Sequence, residues 1–516
     1  MRVTVARFGS GWMIGLLALA SLAAESAAQT ADLRMVQAVQ NRDKEAVRSL
    51  LAQSVDVNSA QADGATAIAW AAHWDDLETA DLLIRAKANV NAANEYGVTP
   101  LSLACTNRSA AMVEKLLAAG ANPNAAQATG ETPLMTCART GNPDAVRALL
   151  ARAANPNARE SKKGQTALMW AIAGKHSEAA RLLIERGADV LARSNSGFTP
   201  LLFAAQQGDL DSARSLLAAG ADVNEATPEH GSALVVASAS GHELFAIYLL
   251  EKGAEPNVAD GFGITALHHA VAKGLSLLTG IVYDPAYRVR PSNLPKLVQA
   301  LLSNGADPNA RVTKGIPSYL VAPDAPPITL PGATPFFLAS VAADVGLLRI
   351  LAEAGADRTI TPKGNITPLM AAAGAAQDAT TRRNEQEQKD ALEAVRLLVE
   401  LGAAVNQTNA EGQTAMHAAA FNGSDAIVQF LADKGAKVDL RDENGETPWS
   451  MAAGIAPVLR YRGLYSVHQS TVDLLLKLGA KPVTREEMDT RSNLSRTAPQ
   501  APSPDNPVSV PAPGAR

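Results

Sequence analysis

A wording of about 33 residues recurs down this chain, and no other feature restricts its fold as tightly. "GVTPLSLACTNRSAAMVEKLLAAGANPN", from Gly97, returns as "GFTPLLFAAQQGDLDSARSLLAAGADVN", from Gly197. Each copy is anchored on a threonine or serine: Thr66, Thr99, Thr132, Thr166, Thr199, Ser232, Thr265, Thr334, Thr367, Thr414 and Thr447. Most anchors lie 33 or 34 residues apart. The intervals ending at Thr334 and Thr414 are 69 and 47, one period plus an insertion each. A unit this short cannot bury its own apolar face. Stacked neighbours can, so the period predicts a solenoid.

Each part of the wording has a local cause. The threonine is expected to cap a helix by accepting a backbone N–H. Pro100, Pro133, Pro200, Pro335, Pro368 and Pro448 follow it at the first helical position, where a missing N–H costs nothing. The first helix runs to a glycine such as Gly141, Gly208, Gly241 or Gly423, suited to a left-handed stop. A second helix places Leu83, Leu116, Leu149, Leu183, Leu216 and Leu249 seventeen residues after the anchor, as core positions. It ends at Gly120, Gly187, Gly220, Gly253, Gly355 or Gly435, and a polar "ADVN" or "ANPN" turn leads on.

The combination of G-x-T-P-L, paired alanines, G-H-x-E, a Leu-Leu run and G-A-D-V-N resembles the ankyrin repeat over roughly residues 32 to 483. The resemblance implies an all-α solenoid of helix-turn-helix units with short β-hairpin fingers. Residues 32–58 lack the anchor but keep "AVRSLLAQSVDVN" and are read as an N-terminal capping repeat, making about twelve in all within a solenoid spanning 29–484. Lys87 and Ala153 replace the terminal glycine, so strained or reshaped turns are expected there.

Outside the repeats, Arg2 and Arg7 precede the apolar run "WMIGLLALASLAA", and small Ser26 and Ala28 follow it. Residues 1–28 therefore read as a signal peptide cleaved after Ala28, with a retained anchor as the alternative. The mature protein is expected in the periplasm or secreted, as a monomer, with no membrane insertion. Residues 485–516 are rich in proline and poor in apolar bulk, and are read as a disordered tail. A net charge of −5 argues against a nucleic-acid partner. Cys105 and Cys137 are the two cysteines and form no C-x-x-C motif. Packed helix axes lie ~8–10 Å apart, whereas disulfide Cα atoms are usually ~4.4–6.8 Å apart. Two buried free thiols are expected.

No reaction centre emerges. His268 and His417 fall at the histidine of T-P-L-H, and His176 and His242 at that of G-H-x-E, where hydrogen bonds between neighbouring repeats explain them. "HELFA" lacks the second histidine of a zinc helix, and "AGKHS" lacks parts of a phosphate loop. His268 and His269 point to different helix faces. The chain is therefore read as non-catalytic, with no cofactor and no metal.

By resemblance, a protein partner would bind the concave face formed by finger tips and first helices. Tip positions hold Glu95, Tyr96, Glu131, Lys162, Lys163, Phe198 and Phe262; the ends of first helices hold His73, Trp74, Arg139, Gln206, Gln207 and Phe421. Insertions are expected near 275–295, 315–331, 375–390 and 455–470. Three of them carry Tyr283, Tyr287, Tyr319, Tyr461 and Tyr465, five of the seven tyrosines. Arg288, Arg290, Arg460 and Arg462 accompany them. Tyr and Arg are enriched at binding hot spots, but loops folded back over the solenoid, or plain disorder, fit the same composition. The insertion after Gly374 is charged and reads as a longer helix end or a mobile loop. The leading expectation is a scaffold binding another exported protein. The alternatives are an accessory subunit of an exported enzyme, or an enzyme with chemistry near His468.

Overall fold

The computed structural model describes residues 32–271, 295–314, 331–375, 384–455 and 467–484. The expected signal peptide and tail, and the insertions with Tyr283, Tyr287, Arg288, Arg290, Tyr319, Arg460, Tyr461, Arg462 and Tyr465, lie outside the described residues. The chain divides into two compact units, Met1–Asp189 and Val190–Arg516.

Unit 1 contains five helix pairs: α1 (Arg34–Gln40) and α2 (Lys44–Ala52), α3 (Ala67–His73) and α4 (Leu77–Arg85), α5 (Pro100–Thr106) and α6 (Ala110–Ala118), α7 (Pro133–Thr140) and α8 (Pro143–Ala151), α9 (Ala167–Ala173) and α10 (Ser177–Glu185). Within this unit each first helix packs on the next first helix and each second helix on the next second helix. The leucines seventeen residues after the anchor, Leu83, Leu116, Leu149 and Leu183, are fully buried between them.

Unit 2 contains seven pairs. α11 (Pro200–Gln207) and α12 (Leu210–Ala218) precede a hairpin of two-residue strands, β1 (Ala226–Thr227) and β2 (Gly231–Ser232). Then come α13 (Ala233–Ala239) and α14 (Glu243–Glu251), α15 (Ala266–Val271) and α16 (Pro295–Ser303), α17 (Pro335–Val341) and α18 (Val345–Glu353). α19 (Pro368–Met370) runs on as a π-turn through Ala375 and pairs with α20 (Glu385–Glu400). α21 (Ala415–Phe421), α22 (Asp425–Asp433), α23 (Pro448–Ala452) and α24 (Gln469–Lys477) complete the unit. Leu216 and Leu249 are fully buried here. The insertion after Gly374 adds a helix end, because α20 begins at Glu385 with Asn384 as its cap and Glu387 reaching back to it.

The capping threonines behave as expected at Thr99, Thr132, Thr166, Thr199, Thr334, Thr367 and Thr447, whose side chains accept from the backbone three residues on. Thr66 and Ser232 do not: their hydroxyls find no hydrogen-bond partner among the described residues. At Thr265 and Thr414 a histidine takes over, with His268 and His417 Nδ1 accepting the threonine N–H at 3.2 and 3.1 Å. Lys87 and Ala153 hold the same left-handed backbone as the glycines they replace, with φ of 68° and 59°, so those turns are not reshaped. The glycine between helices holds the expected left-handed backbone at Gly141, with φ of 78°, and has a second reason there. A Cβ there would stand 2.2 Å from the ring of His176, which crosses from the next repeat to place Nε2 3.0 Å from the Arg139 carbonyl. His242 repeats this over Gly208, with Nε2 3.1 Å from the carbonyl of Gln206.

The asparagine that closes the "ADVN" turn ties repeats together. Asn91 Nδ2 donates to the Gly120 carbonyl at 3.0 Å, and its Oδ1 accepts the Asn122 N–H at 2.7 Å. Asn58, Asn124 and Asn157 do the same in unit 1, and Asn224, Asn257, Asn309 and Asn406 in unit 2. At the equivalent position the sequence has Leu191, whose side chain carries no hydrogen-bonding group, Thr359, beside which Arg358 donates to the Leu401 carbonyl at 2.9 Å, and Asp439, whose Oδ1 accepts the Lys481 N–H at 2.8 Å.

The expectation of free thiols is overturned: Cys105 and Cys137 are joined as a disulfide, with Cα atoms 4.6 Å apart. The axis separation of packed helices misled here. Each Cα stands about 2.3 Å off its helix axis, so Cα atoms that face each other come far closer than the axes do. α5 and α7 meet through small residues such as Ala104 and Ala138, both fully buried, which permits that approach.

Candidate partner-binding face

In unit 1, α3 and its cap place Trp70, His73 and Trp74 three and four residues apart, on one helix face. The two indoles stack with centroids 6.1 Å apart, and His73 meets Trp70 and Trp74 edge-on at 5.5 and 4.6 Å. The Arg42 guanidinium sits 4.1 Å above the Trp74 ring. Trp70 Nε1 donates to Gln61 Oε1 at 3.1 Å, and Gln61 in turn donates to Gln40. Beside Trp70 opens a cavity of about 180 Å³ lined by Asp63, Ala65, Ala69, Trp70, His73, Asn94, Val98 and Leu103.

The tip that follows carries Tyr96, 63% exposed, its backbone fixed by its N–H to Asn94 Oδ1 and by its carbonyl, which accepts from Ala128. Farther along unit 1, Arg139 on α7 lies 3.3 Å from the Glu131 carboxylate and 5.3 Å from the Trp170 ring. Trp170 Nε1 donates to Gln165 Oε1 at 2.9 Å.

The residues expected on this face divide accordingly. Trp74, Tyr96 and Arg139 are exposed on unit 1. Phe198, Phe262 and Phe421, all in unit 2, are half-buried. Phe198 packs edge-on against Phe203 at 5.4 Å and His230 at 4.8 Å. The Phe262 carbonyl accepts the Thr313 N–H at 2.8 Å, fixing its tip. Tyr283, Tyr287, Arg288, Tyr319, Tyr461, Arg462 and Tyr465 lie outside the described residues. Sequence reasoning missed Trp70 and Trp170. Both stand four residues after the anchor, one helical turn before the positions singled out, so the 3.6-residue period held the signal.

The histidines inside unit 2 are structural. Burial pushes His268 down to about 4 and His269 down to about 3, and burial also lowers His417. All three are therefore neutral near pH 7. Among the described residues no group of three His, Cys, Asp or Glu side chains is arranged to hold a metal ion, and no helix is long and apolar enough to cross a membrane.

Stacked helix pairs, clamped turn to turn and presenting side chains from first helices and tips, define a class of protein that works by recognition. The model "Ankyrin repeats (3 copies)" matches residues 35–127, 119–194, 201–284 and 386–486, and the chain belongs to the ankyrin repeat family, which is generally non-catalytic. Helices α16, α17 and α18, of the same design, lie outside those matches. A stretch of 62 residues is 44% identical to part of the inactive serine/threonine-protein kinase TEX14 of Bos taurus, taking in 12% of this chain and 4% of that protein. Family membership makes the chain a protein–protein interaction scaffold in the broad sense.

Proposed function

We propose that the chain is a non-catalytic scaffold of the periplasm or cell exterior that holds a segment of another exported protein against the inner face of unit 1. One observation carries this reading. Among the described residues the exposed large apolar side chains include two aromatics, Trp74 and Tyr96, and both belong to this face, beside the cavity under Trp70. Exposed aromatics grouped around a cavity are the usual mark of an interaction surface. The compartment is supported by the leader-like residues 1–28 and by the Cys105–Cys137 disulfide, since such bonds persist in oxidising surroundings. Tyr/Arg-rich insertions remain part of the proposed surface on sequence grounds alone.

The test compares the native chain with a Trp74→Ala, Tyr96→Ala double variant for capture of partners from the exported fraction. Capture should fall at least about tenfold, the loss of a single hot spot, with the melting curve unchanged. Undiminished capture would remove unit 1 as the binding face. N-terminal sequencing of the fractionated protein should begin at Gln29; a cytoplasmic chain keeping Met1 contradicts the location.

A further inference from the structure

The tryptophans of unit 1 differ in what covers them. Arg42 lies over Trp74, and Arg139, paired with Glu131, lies over Trp170. Among the described residues no lysine or arginine lies over Trp70. That indole instead walls the 180 Å³ cavity, whose apolar lining is completed by Ala65, Ala69, Val98 and Leu103. Small-molecule pockets run from roughly 300 Å³ upward, so this one has the size for a single side chain.

Its lining includes one carboxylate, that of Asp63, with the His73 ring as the other ionisable group. Asp63 is exposed, and its carboxylate accepts the Ala65 N–H at 3.0 Å but pairs with no cation among the described residues. Glu95 donates its N–H to the Asp63 carbonyl at 2.9 Å, which joins the two acidic residues through their backbones, and the Glu95 carboxylate too has no cation among the described residues. Asn94 on the rim commits its Oδ1 to the N–H groups of Tyr96 and Val98, leaving its amide donors for a partner's carbonyl.

We propose that this cavity receives an arginine or lysine side chain from an extended segment of the partner. Its methylenes lie against Ala69, Val98 and Leu103, its cation over the Trp70 ring, and its charge pairs with Asp63 in the field of Glu95. The chain fills the same need at Trp170 from within, by the Glu131–Arg139 pair. An acidic segment is repelled here, and a purely apolar one leaves Asp63 without a partner. This inference rests on unit 1 being a binding face.

The experiment pans a phage-displayed library of random linear peptides on the full-length, oxidised chain and counter-screens with Trp70→Ala. Trp70-dependent peptides should share a basic residue at one position. A synthetic peptide of that sequence should bind Asp63→Asn about tenfold more weakly, and more weakly still in high salt. Replacing its basic residue by glutamine should cost the same tenfold, with little further loss on Asp63→Asn. Asparagine keeps an acceptor for the Ala65 N–H, so folding is spared, and Glu95→Gln gives a second variant with a smaller expected loss. Trp70-dependent peptides without a basic residue, or indifferent to Asp63→Asn, would overturn the basic occupant and leave the face standing. Absence of any Trp70-dependent peptide would overturn both.

Discussion

In unit 1 the position four residues after the anchor holds Trp70, Leu103, Thr136 and Trp170, and both tryptophans are only half-buried. In unit 2 the same position holds Phe203, Val236, His269, Leu338, Ala371, Ala418 and Met451, all buried. The residue just before the anchor explains much of the contrast. In the first repeat of unit 2 it is Phe198, which closes over Phe203. Before Thr66 it is Ala65, too small to reach across Trp70, and the cavity opens there. Before Thr166 it is Gln165, which satisfies the Trp170 N–H without hiding the ring. In these three repeats the finger neighbour goes with whether the ring is closed over, whereas Val236 and Leu338 are buried beside the small Gly231 and Ala333. The units also differ in how they are held. Unit 1 is cross-linked by Cys105–Cys137 and has an asparagine clamp at each of its first four turns, whereas unit 2 contains Leu191, Thr359 and the buried histidines.

Three experiments test this contrast. Reducing the disulfide, or replacing both cysteines by alanine, should cost unit 1 about 3–4 kcal/mol, given a sequence separation of 32 across the bond. Hydrogen exchange read peptide by peptide should show faster opening across residues 32–189 and little change beyond. Equal loss in both units would mean that the bond does not set them apart.

Acid should act the other way. With folded-state pKa values below the ordinary histidine value, the unfolded chain takes up the protons first. Stability from His268, His269 and His417 is complete above about pH 6.5 and falls as the pH drops toward the folded values, about 4 for His268 and about 3 for His269. By pH 5 unit 2 should lose on the order of 2 kcal/mol for each of His268 and His269. Burial raises the Asp260 carboxyl, which offsets part of this loss in more acid solution. In unit 1, burial works to raise Glu160, but the N–H groups of Gln165, Lys162 and Lys163 outweigh it and hold it below the usual carboxylate range. Its contribution is lost only below about pH 4.5. Exchange at pH 5 that accelerates in unit 1 alone would contradict the assignment.

The smallest effect is the most direct. Ala65→Phe should lay a ring over Trp70 as Phe198 does over Phe203, adding about 1 kcal/mol from the aromatic pair and closing the cavity. Thermal melting should rise slightly while Trp70-dependent peptide binding disappears. Unchanged binding would show that the cavity is not where partners enter.

Much of this was legible in one dimension. The period, the capping threonines, the prolines behind them and the buried leucines from Leu83 to Leu249 follow from local rules that most repeats obey, so repetition makes them readable. Lys87 and Ala153 were legible only in part. Their glycine-like backbone is imposed by the carbonyls their N–H groups must meet at the end of the second helix, those of Ile84 and Leu150. The insertions lie where the repeat gives no guidance, and their tyrosines carry no register.

Other features belong to the stacked structure alone. Whether Cys105 and Cys137 touch depends on how closely two alanine-lined helices approach, a distance set by packing across repeats. Whether Trp70 is core or surface depends on Ala65 and on the Asn94 tip of the next repeat, two backbones brought together only when the repeats stack. Sequence determined what each repeat must bury, because a helix period marks its own apolar face. Tertiary structure decided which faces stayed open, because covering a side chain takes a neighbour from another repeat at the right height.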